Sequence, residues 1–270
     1  MKIALAQMNS VDDLRVNINK IKKMISSAAQ NGADLVLFPE NSLYFRIKSG
    51  SAIVAVKPDS AELKEIAEHC LREKIKAHLT TAIFENDVVY NGSVLLDENA
   101  AVQVTYRKIH LFDIELEGQL PVRESDVFSH GPRPSTFELG GFLFGSSICY
   151  DVRFAELYAS YAKKEVDVII VPSAFLVKTG QAHWETLLRA RAIESQCYVL
   201  APAQAGAHMS VQNSDDRRET FGHTMVINPW GQIVASLPTG EGLLYTDLNK
   251  HEIEKVRKQI PMKSHRRDVF

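Results

Sequence analysis

The stretch FGSSICYDVRFAEL, residues 144–157, joins an apolar run to a segment with helical spacing, and Cys149 stands at the junction. The preceding residues make FLFGSSIC a buried strand, while apolar and aromatic side chains from Phe154 to Tyr161 recur on one helical face. A strand that passes directly into a helix is the repeating unit of α/β proteins. Taken alone, this junction leaves Cys149 open to two interpretations, a packed core thiol or a nucleophile at the mouth of a helix.

The same alternation extends toward the amino terminus. MKIALAQMNS alternates like a strand, and the helix predicted after it has the apolar positions Leu14, Ile18, Ile21 and Ile25. The strand ADLVLFPE follows, and it ends at Glu40. A second unit begins at Ser60, a predicted helix N-cap, places Cys70 on the apolar helical face, and continues into the strand HLTTAIFE.

Toward the carboxyl terminus the pattern adds hairpins to the strands and helices. VVYNGSVLLDENAAVQVTYRK contains an Asn-Gly pair and an Asp-Glu-Asn cluster, both typical of hairpin turns. VDVIIVPSAF and CYVLAPA are predicted strands on either side of the helix AHWETLLRARAIES, and HTMVINPWGQIVASL predicts two strands around a turn. We find no repeat, low-complexity tract or linker, so one domain over residues 1–270 is the simplest organisation. The predicted fold is an α/β sandwich whose sheets are covered by helices.

Composition limits the classes of function. The 270 residues are 45% apolar and 24% charged, with a net charge of −2, which is typical of a globular protein and gives no electrostatic case for nucleic acid. Short basic clusters such as Arg217-Arg218 and Arg266-Arg267 are predicted to be solvated surface. No apolar stretch approaches the roughly 20 residues of a membrane span, and MKIALAQMNS lacks the features of a secretory signal. Cys70, Cys149 and Cys197 are widely spaced, which indicates free thiols and a cytoplasmic location.

Three reactive side chains follow three predicted strands: Glu40, Lys108 and Cys149. The carboxyl ends of strands in open α/β sheets are where ligands bind, because the loops that follow them converge there. A carboxylate could take the thiol proton, the thiolate could attack a carbonyl carbon, and the ammonium could stabilise the oxyanion. A helix beginning at or just after Cys149 would lower the thiol pKa and aim the Tyr150 N–H at the oxyanion.

Simpler interpretations stay open at this point. Cys149 could be a packing residue, Glu40 a polar strand end and Lys108 a solvated charge. Other chemistries have less support, since the sequence has no HExxH, zinc-site spacing, GxSxG, Walker-type or GxGxxG motif. His183, His208 or His223 could pair with a cysteine, although His183 lies in a predicted helix where a structural role is expected.

At these residues the sequence resembles the carbon–nitrogen hydrolase (nitrilase) superfamily over essentially the whole chain. The resemblance rests on LVLFPE, YRKIHLFD, SSICYDVRFAEL, PSAF, TGQAHWETLLRARAIESQCYV, GHTMVINPWG and HRRDVF. It implies a single-domain, four-layer αββα sandwich and a Glu-Lys-Cys triad at Glu40, Lys108 and Cys149. It also implies that Glu124, in VRESD, orients Lys108 and the substrate. The family uses no metal or organic cofactor and commonly forms homodimers, so neither a cofactor nor a nucleic-acid or membrane partner is expected.

Within the superfamily the sequence resembles amidases that act on small keto-acid amides. Deaminated glutathione and 2-oxoglutaramate are the two candidate substrates that this resemblance implies, and both require a group that binds a carboxylate. Arg153 is the candidate, since a guanidinium pairs with a carboxylate through two hydrogen bonds, unless it pairs with Glu156 instead. Tyr44, Phe175 and Thr179 match positions that line the substrate pocket in relatives, although Phe175 could serve packing alone.

Three rival functions stay open. The same thioester could lead to nitrile hydration or acyl transfer, the chain could be a binding or scaffold protein, or hydrolysis could depend on a metal. The polar segment HMSVQNSDDRRET, residues 208–220, is longer than its counterpart in relatives. Functional variation concentrates in such loops, so we expect this segment to rim the site and to influence which leaving group is accepted.

Overall fold

Two six-stranded sheets lie at the centre of the fold in the computed structural model, which describes residues 1–48, 50–115 and 122–267. In chain order the elements are β1 (Lys2–Gln7), α1 (Leu14–Gln30), β2 (Leu35–Leu37), α2 (Ala61–Glu73), β3 (Lys76–Glu85), β4 (Val88–Leu96), β5 (Val102–Arg107), β6 (Asp113–Ile114), β7 (Val122–Arg123), β8 (Thr136–Leu139), β9 (Phe142–Ser146), α3 (Ala155–Lys163), β10 (Val168–Ile170), α4 (Val177–Ser195), β11 (Tyr198–Ala201), β12 (Ala205–Met209), β13 (Arg217–Phe221), β14 (Thr224–Ile227), β15 (Ile233–Leu237), β16 (Gly242–Asp247), α5 (Lys250–Gln259) and α6 (Met262–His265). Two short 3-10 turns span Glu124–Asp126 and Cys149–Arg153. The carboxyl-terminal end of the motif HRRDVF, residues 268–270, lies outside the described residues.

The two sheets have matching topologies. The first has the order β16-β1-β2-β3-β4-β5 and the second the order β15-β14-β11-β10-β9-β8. In each sheet the central three strands are parallel, β1-β2-β3 and β11-β10-β9, and the flanking strands are antiparallel. Parallel strands therefore end at the same edge of each sheet, which is where the following loops can meet.

Side-chain alternation along the strands separates three hydrophobic layers. Ile3 and Leu5 of β1 pack with residues of the second sheet, whereas Ala4 and Ala6 face α1 and α2. A third cluster joins the other face of the second sheet to α3 and α4. The layers are therefore helix, sheet, sheet and helix, which confirms the predicted αββα sandwich.

The predicted start of α2 is confirmed. Ser60 is the N-cap of α2 and accepts a hydrogen bond from the Leu63 N–H, and Asp13 caps α1 in the same way through Val16. Cys70 and Cys197 are fully buried, as core thiols should be. Among the described residues no helix combines the length and hydropathy that crossing a bilayer requires.

Two local predictions were wrong. The Asn91-Gly92 pair lies inside β4, and the turn before β4 is made by Asn86 and Asp87, whose φ values of 51° and 61° suit a two-residue hairpin turn. A Cβ at Gly92 would lie 2.7 Å from the Ile83 Cδ1 and 3.1 Å from the Tyr106 carbonyl oxygen, so this position in β4 has little room for a side chain. The chain after Cys149 forms a five-residue 3-10 turn, and an α-helix begins only at Ala155.

Candidate active site

Three strand ends converge on one pocket. Glu40 lies three residues after β2, Lys108 directly follows β5, and Cys149 lies three residues after β9. All three line an open pocket of about 820 Å³, a volume that includes the solvent at its mouth. The structure thus brings together, from both sheets, the carboxylate, ammonium and thiol that the sequence placed at separate strand ends.

Lys108 is held between two carboxylates. Its Nζ donates to Glu40 Oε1 at 2.9 Å and to both oxygens of Glu124, at 3.0 and 2.8 Å. The Lys108 side chain is only 1% exposed. Burial opposes its charge, but Glu124 and Glu40 outweigh that effect and raise the pKa of the ammonium above its ordinary value. Lys108 is therefore a permanent cation at the base of the pocket.

Further donors fix the two carboxylates, and the sequence did not identify them. The Asn91 amide donates to Glu40 Oε1 and to Glu124 Oε1, both at 2.8 Å. The Ala174 N–H donates to Glu40 Oε2 at 2.9 Å, and the Phe112 N–H donates to Glu124 Oε2 at 2.6 Å. Ala174 lies four residues after β10 of the second sheet and Asn91 lies in β4 of the first, so Glu40 is tied to segments of both.

Cys149 differs from the other two cysteines in exposure and backbone conformation. It is 8% exposed and lines the pocket, whereas Cys70 and Cys197 are 0% exposed. Its φ of 48° is left-handed, which is uncommon for a residue with a Cβ and often found at functional sites. Its N–H donates to the Pro172 carbonyl at 3.0 Å, and the Tyr150 N–H makes no backbone hydrogen bond within the described ranges.

The expectation that a helix lowers the thiol pKa was wrong. Burial, followed by the charge of Glu40, raises the pKa of Cys149, and Lys108 and the Ala174 N–H only partly oppose this. The five-residue 3-10 turn offers a much smaller dipole than the helix that was predicted. These effects favour the neutral thiol, and the neighbouring Glu40 carboxylate is a group that can accept its proton.

Asp151 anchors the turn that carries Cys149. The carboxylate is fully buried and accepts the Ile148 N–H at 2.9 Å and the Tyr106 hydroxyl at 2.8 Å. Its other oxygen accepts the His110 N–H at 2.9 Å and the His110 Nδ1–H at 2.7 Å. The Asp151 carboxylate thus connects the 3-10 turn Cys149–Arg153 to β5 and to the segment just after Lys108.

Arg153 lines the pocket without a carboxylate partner. Its guanidinium lies 4.7 Å from the Phe175 ring centroid and 5.2 Å from that of Tyr150, with His183 Nδ1 3.5 Å from its Nη2. No ion pair with Glu156 or another described carboxylate is formed, so the alternative pairing with Glu156 was wrong. Burial lowers the pKa of Arg153, as expected for a cation that lacks a counter-ion.

The remaining predicted residues also border this pocket. Tyr44, Phe175 and Thr179 line it, and the Thr179 hydroxyl donates to the Leu176 carbonyl at 3.3 Å. None of the three histidines considered as cysteine partners is a lining residue: His183, His208 and His223. In the part of the chain that the structure describes, no cluster of three or more His, Cys, Asp and Glu side chains is placed to hold a metal ion.

Sequence reasoning missed Arg46 and Arg218, which line the pocket as well. Arg217-Arg218 was predicted to be solvated surface, and this holds for Arg217 alone, which is exposed. The two residues are neighbours on β13, so their side chains point to opposite faces of the strand. The segment 208–220 therefore does border the site, through Arg218.

The chain has counterparts among known proteins in both sequence and fold. A family model described as carbon-nitrogen hydrolase matches residues 2–258. The chain is 35% identical over 279 residues to the deaminated glutathione amidase of Mus musculus, covering 98% of this chain and 83% of that protein. It is 35% identical over 269 residues to the deaminated glutathione amidase of Synechocystis sp. (strain PCC 6803 / GT-S), with 97% of each covered. The crystal structure of Saccharomyces cerevisiae Nit3, a member of branch 10 of the nitrilase superfamily, matches with a TM-score of 0.84 at 28% identity, over 100% of this chain and 97% of that one.

Proposed function

Because the chain belongs to the carbon–nitrogen hydrolase family and is an amidase of that family, we propose that it hydrolyses small keto-acid amides, with deaminated glutathione as the first candidate. That substrate would yield 2-oxoglutarate and Cys-Gly. The observation that carries the proposal is the pocket-facing Cys149 beside the buried Glu40–Lys108 ion pair. The relatives' names supply the choice of amide.

In the first half-reaction Glu40 takes the proton of Cys149 as the sulfur attacks the amide carbonyl carbon. The oxyanion accepts hydrogen bonds from the Lys108 ammonium and the Tyr150 N–H. The Lys108 ammonium has three N–H groups. One can donate to Glu40 and one can be shared between the two oxygens of Glu124, which leaves the third for the oxyanion. The tetrahedral adduct collapses, the C–N bond breaks, and Glu40 returns its proton to the departing amine.

The second half-reaction removes the acyl group from sulfur. Glu40, now a carboxylate again, takes a proton from water as the water oxygen attacks the thioester carbonyl. The C–S bond breaks, the acid leaves, and the proton passes back to the sulfur. Asn91 and the Ala174 N–H keep the Glu40 carboxylate in one orientation through both steps.

Arg153 supplies the carboxylate recognition that a keto acid requires. Its guanidinium has no counter-ion among the described residues, lies over the Phe175 ring and borders the same pocket as the thiol. A substrate carboxylate paired with Arg153 would hold the amide carbon within reach of Cys149, and Tyr44 and Thr179 would complete this end of the pocket.

The experiment is a comparison of kcat/KM for deaminated glutathione and 2-oxoglutaramate in wild type and in Cys149→Ala. We expect wild-type turnover of deaminated glutathione, no turnover by the variant, and an unchanged melting temperature. A preference for 2-oxoglutaramate would indicate an ω-amidase instead. Full activity in a folded Cys149→Ala protein would refute the nucleophile assignment.

Labelling and product analysis distinguish a thiol amidase from a scaffold protein, a metal-dependent hydrolase, a nitrile hydratase and an acyl transferase. Iodoacetamide should modify Cys149 alone, because Cys70 and Cys197 are fully buried. An unreactive Cys149 would favour a scaffold protein, and activity lost with a chelator would favour a metal mechanism. Incubation with a matched nitrile and with an added amine would detect nitrile hydration or acyl transfer. The cytoplasmic location and the homodimer stay predictions, and light scattering after gel filtration measures the second.

A further inference from the structure

Two arginines that the proposed mechanism does not use border the pocket. Arg218 lies on β13 of the hairpin formed with β12, and Arg46 lies in the segment that follows Glu40 in the chain. The Arg218 guanidinium is 5.5 Å from the Phe45 ring centroid, and its Nη1 donates to the Arg46 carbonyl at 3.3 Å. These contacts hold Arg218 against the segment around Phe45 and Arg46.

Neither guanidinium has a counter-ion among the described residues, although each is half-buried. Burial, together with the neighbouring charge of Arg46, lowers the pKa of Arg218. Exposed arginines could be hydrated instead, but partly buried guanidinium groups that share a pocket repel each other unless an anion joins them. In the described part of the chain nothing neutralises these two charges, so the pair is suited to bind an anionic ligand.

The pocket as a whole has an excess of positive charge. Among the described residues its lining contains four cations, Lys108, Arg46, Arg153 and Arg218, and two carboxylates, Glu40 and Glu124, which leaves a formal charge of +2. A single substrate carboxylate paired with Arg153 would still leave a formal charge of +1 in the pocket. A second substrate carboxylate would balance that remaining charge.

Arg153 and Arg218 contact different parts of the site. Arg153 is packed against Phe175 and Tyr150, whereas Arg218 is packed against Phe45 and Arg46, and the two arginines share no contact residue. Both nevertheless line the same pocket as Cys149. Since Arg153 is assigned to the acyl carboxylate of the substrate, Arg218 is the guanidinium group left to meet a charge on the leaving-group side.

We propose that Arg218, with Arg46 beside it, binds a carboxylate on the departing amine, so that the enzyme favours amides with one carboxylate on each side of the scissile bond. This inference rests on the proposed amidase function and adds the chemical class of the leaving group. An amine bearing a carboxylate, such as an amino acid or a dipeptide, fits this pattern, whereas ammonia offers nothing for Arg218 to bind. Arg218 is a specificity-determining residue and takes no part in bond cleavage.

The test uses three substrates with wild type, Arg218→Gln and the control Arg217→Gln. Arg217 is exposed on the same strand, so its substitution removes the same charge away from the pocket. The substrates are deaminated glutathione, the same compound with its glycine carboxylate converted to a carboxamide, and 2-oxoglutaramate. A lost charge-assisted hydrogen bond corresponds to about a 10- to 100-fold change in kcat/KM.

We expect wild type and Arg217→Gln to prefer the acid over its carboxamide by about 10- to 100-fold. Arg218→Gln should lose most of this preference, and its kcat/KM should fall far less for 2-oxoglutaramate than for deaminated glutathione. An Arg218→Gln enzyme that keeps the wild-type preference, or that loses all three substrates equally, would overturn the proposal.

Failure of the amidase function itself has a different result. If wild type hydrolyses none of the three compounds, the proposed function is wrong, and binding decides the role of Arg218. Calorimetric titration of Cys149→Ala with deaminated glutathione should then give an affinity about 10- to 100-fold above that of the Cys149→Ala, Arg218→Gln double variant. Equal affinities in that experiment would refute the second carboxylate site.

Discussion

Replacing Asp151 with asparagine tests whether its hydrogen bonds position the 3-10 turn Cys149–Arg153. The carboxylate oxygens accept four hydrogen bonds, two each, between 2.7 and 2.9 Å. An asparagine keeps the size of the side chain but places an NH2 group where one oxygen stood. In either orientation of the amide, its NH2 group faces a backbone N–H, that of Ile148 or that of His110. Both groups are donors, so no hydrogen bond can form between them.

The expected loss of stability follows from those contacts. At least one buried backbone donor loses its acceptor, and a second hydrogen bond weakens with the loss of charge. Hydrogen bonds to charged groups contribute about 1.5–3 kcal/mol each, so we expect the free energy of unfolding to fall by at least about 3 kcal/mol. For a chain of this size that change corresponds to a melting temperature lower by about 6–12 °C.

The activity of the folded Asp151→Asn variant should also fall. Asp151 fixes the turn through Ile148, next to Cys149, and a displacement of about 1 Å at a reacting atom costs on the order of 100-fold in rate. We expect kcat to fall at least tenfold at 20 °C, with a smaller change in KM. Thermal unfolding followed by circular dichroism and steady-state kinetics give the two quantities.

Asp59→Asn is the matched control, because Asp59 is exposed and the same charge is removed. It should change the melting temperature by no more than about 2 °C. An Asp151→Asn protein with wild-type stability and wild-type kcat would show that the four hydrogen bonds do not position the nucleophile, and the role assigned to Asp151 would be wrong.

Three further outcomes follow from the buried charges. Lys108→Met leaves Glu40 and Glu124 without their cation, so kcat should fall at least 1000-fold and stability by about 3–5 kcal/mol, as kinetics and melting curves will show. Arg153→Lys replaces a guanidinium that can form two hydrogen bonds to a carboxylate with a single ammonium, so kcat/KM should fall at least tenfold for both keto-acid amides. Unchanged values would contradict the role of Arg153 in carboxylate binding. Burial lowers the pKa of His78 to about 3 and that of His208 to about 4, below the value of about 6.5 in an unfolded chain. The unfolded state therefore binds more protons below pH 6.5, and each histidine should reduce stability by about 1.4 kcal/mol per pH unit between pH 6.5 and 4; melting temperatures at pH 7.5 and 5 measure this loss.

Strand ends were the part of the site that the sequence predicted well. Glu40, Lys108 and Cys149 each follow a run of apolar residues, and the buried strands are recognisable from that pattern alone. Their convergence then follows from how parallel strands end at one edge of a sheet. The resemblance to known amidases added Glu124, which no local pattern distinguishes from a surface residue.

Asn91 shows where local patterns fail. An Asn-Gly pair is a strong hairpin signal because both residues tolerate positive φ, yet here the turn lies five residues earlier. The asparagine is needed for its amide, which bridges two carboxylates from distant parts of the chain. No sequence window contains those partners, so the tertiary contact overrides the local preference.

Arg218 shows a related limit. Two adjacent arginines in a polar segment resemble solvated surface, and whether one of them faces a pocket depends on the strand's position and register. The β12–β13 pairing sets that register, with His208 opposite Arg218. The short 3-10 turn that begins at Cys149 was unpredictable for a similar reason, since the three partner residues of Asp151 are distributed from Tyr106 to Ile148.

The attachment of Glu40 to both sheets has a consequence for the folding pathway. The Ala174 N–H and the Lys108 ammonium reach the same carboxylate from opposite layers of the sandwich. An intermediate with only one layer assembled would carry either a thiol without its base or a base without its thiol. The recovery of catalytic activity during refolding would therefore measure when the two sheets pack together. It should occur later than the recovery of secondary structure.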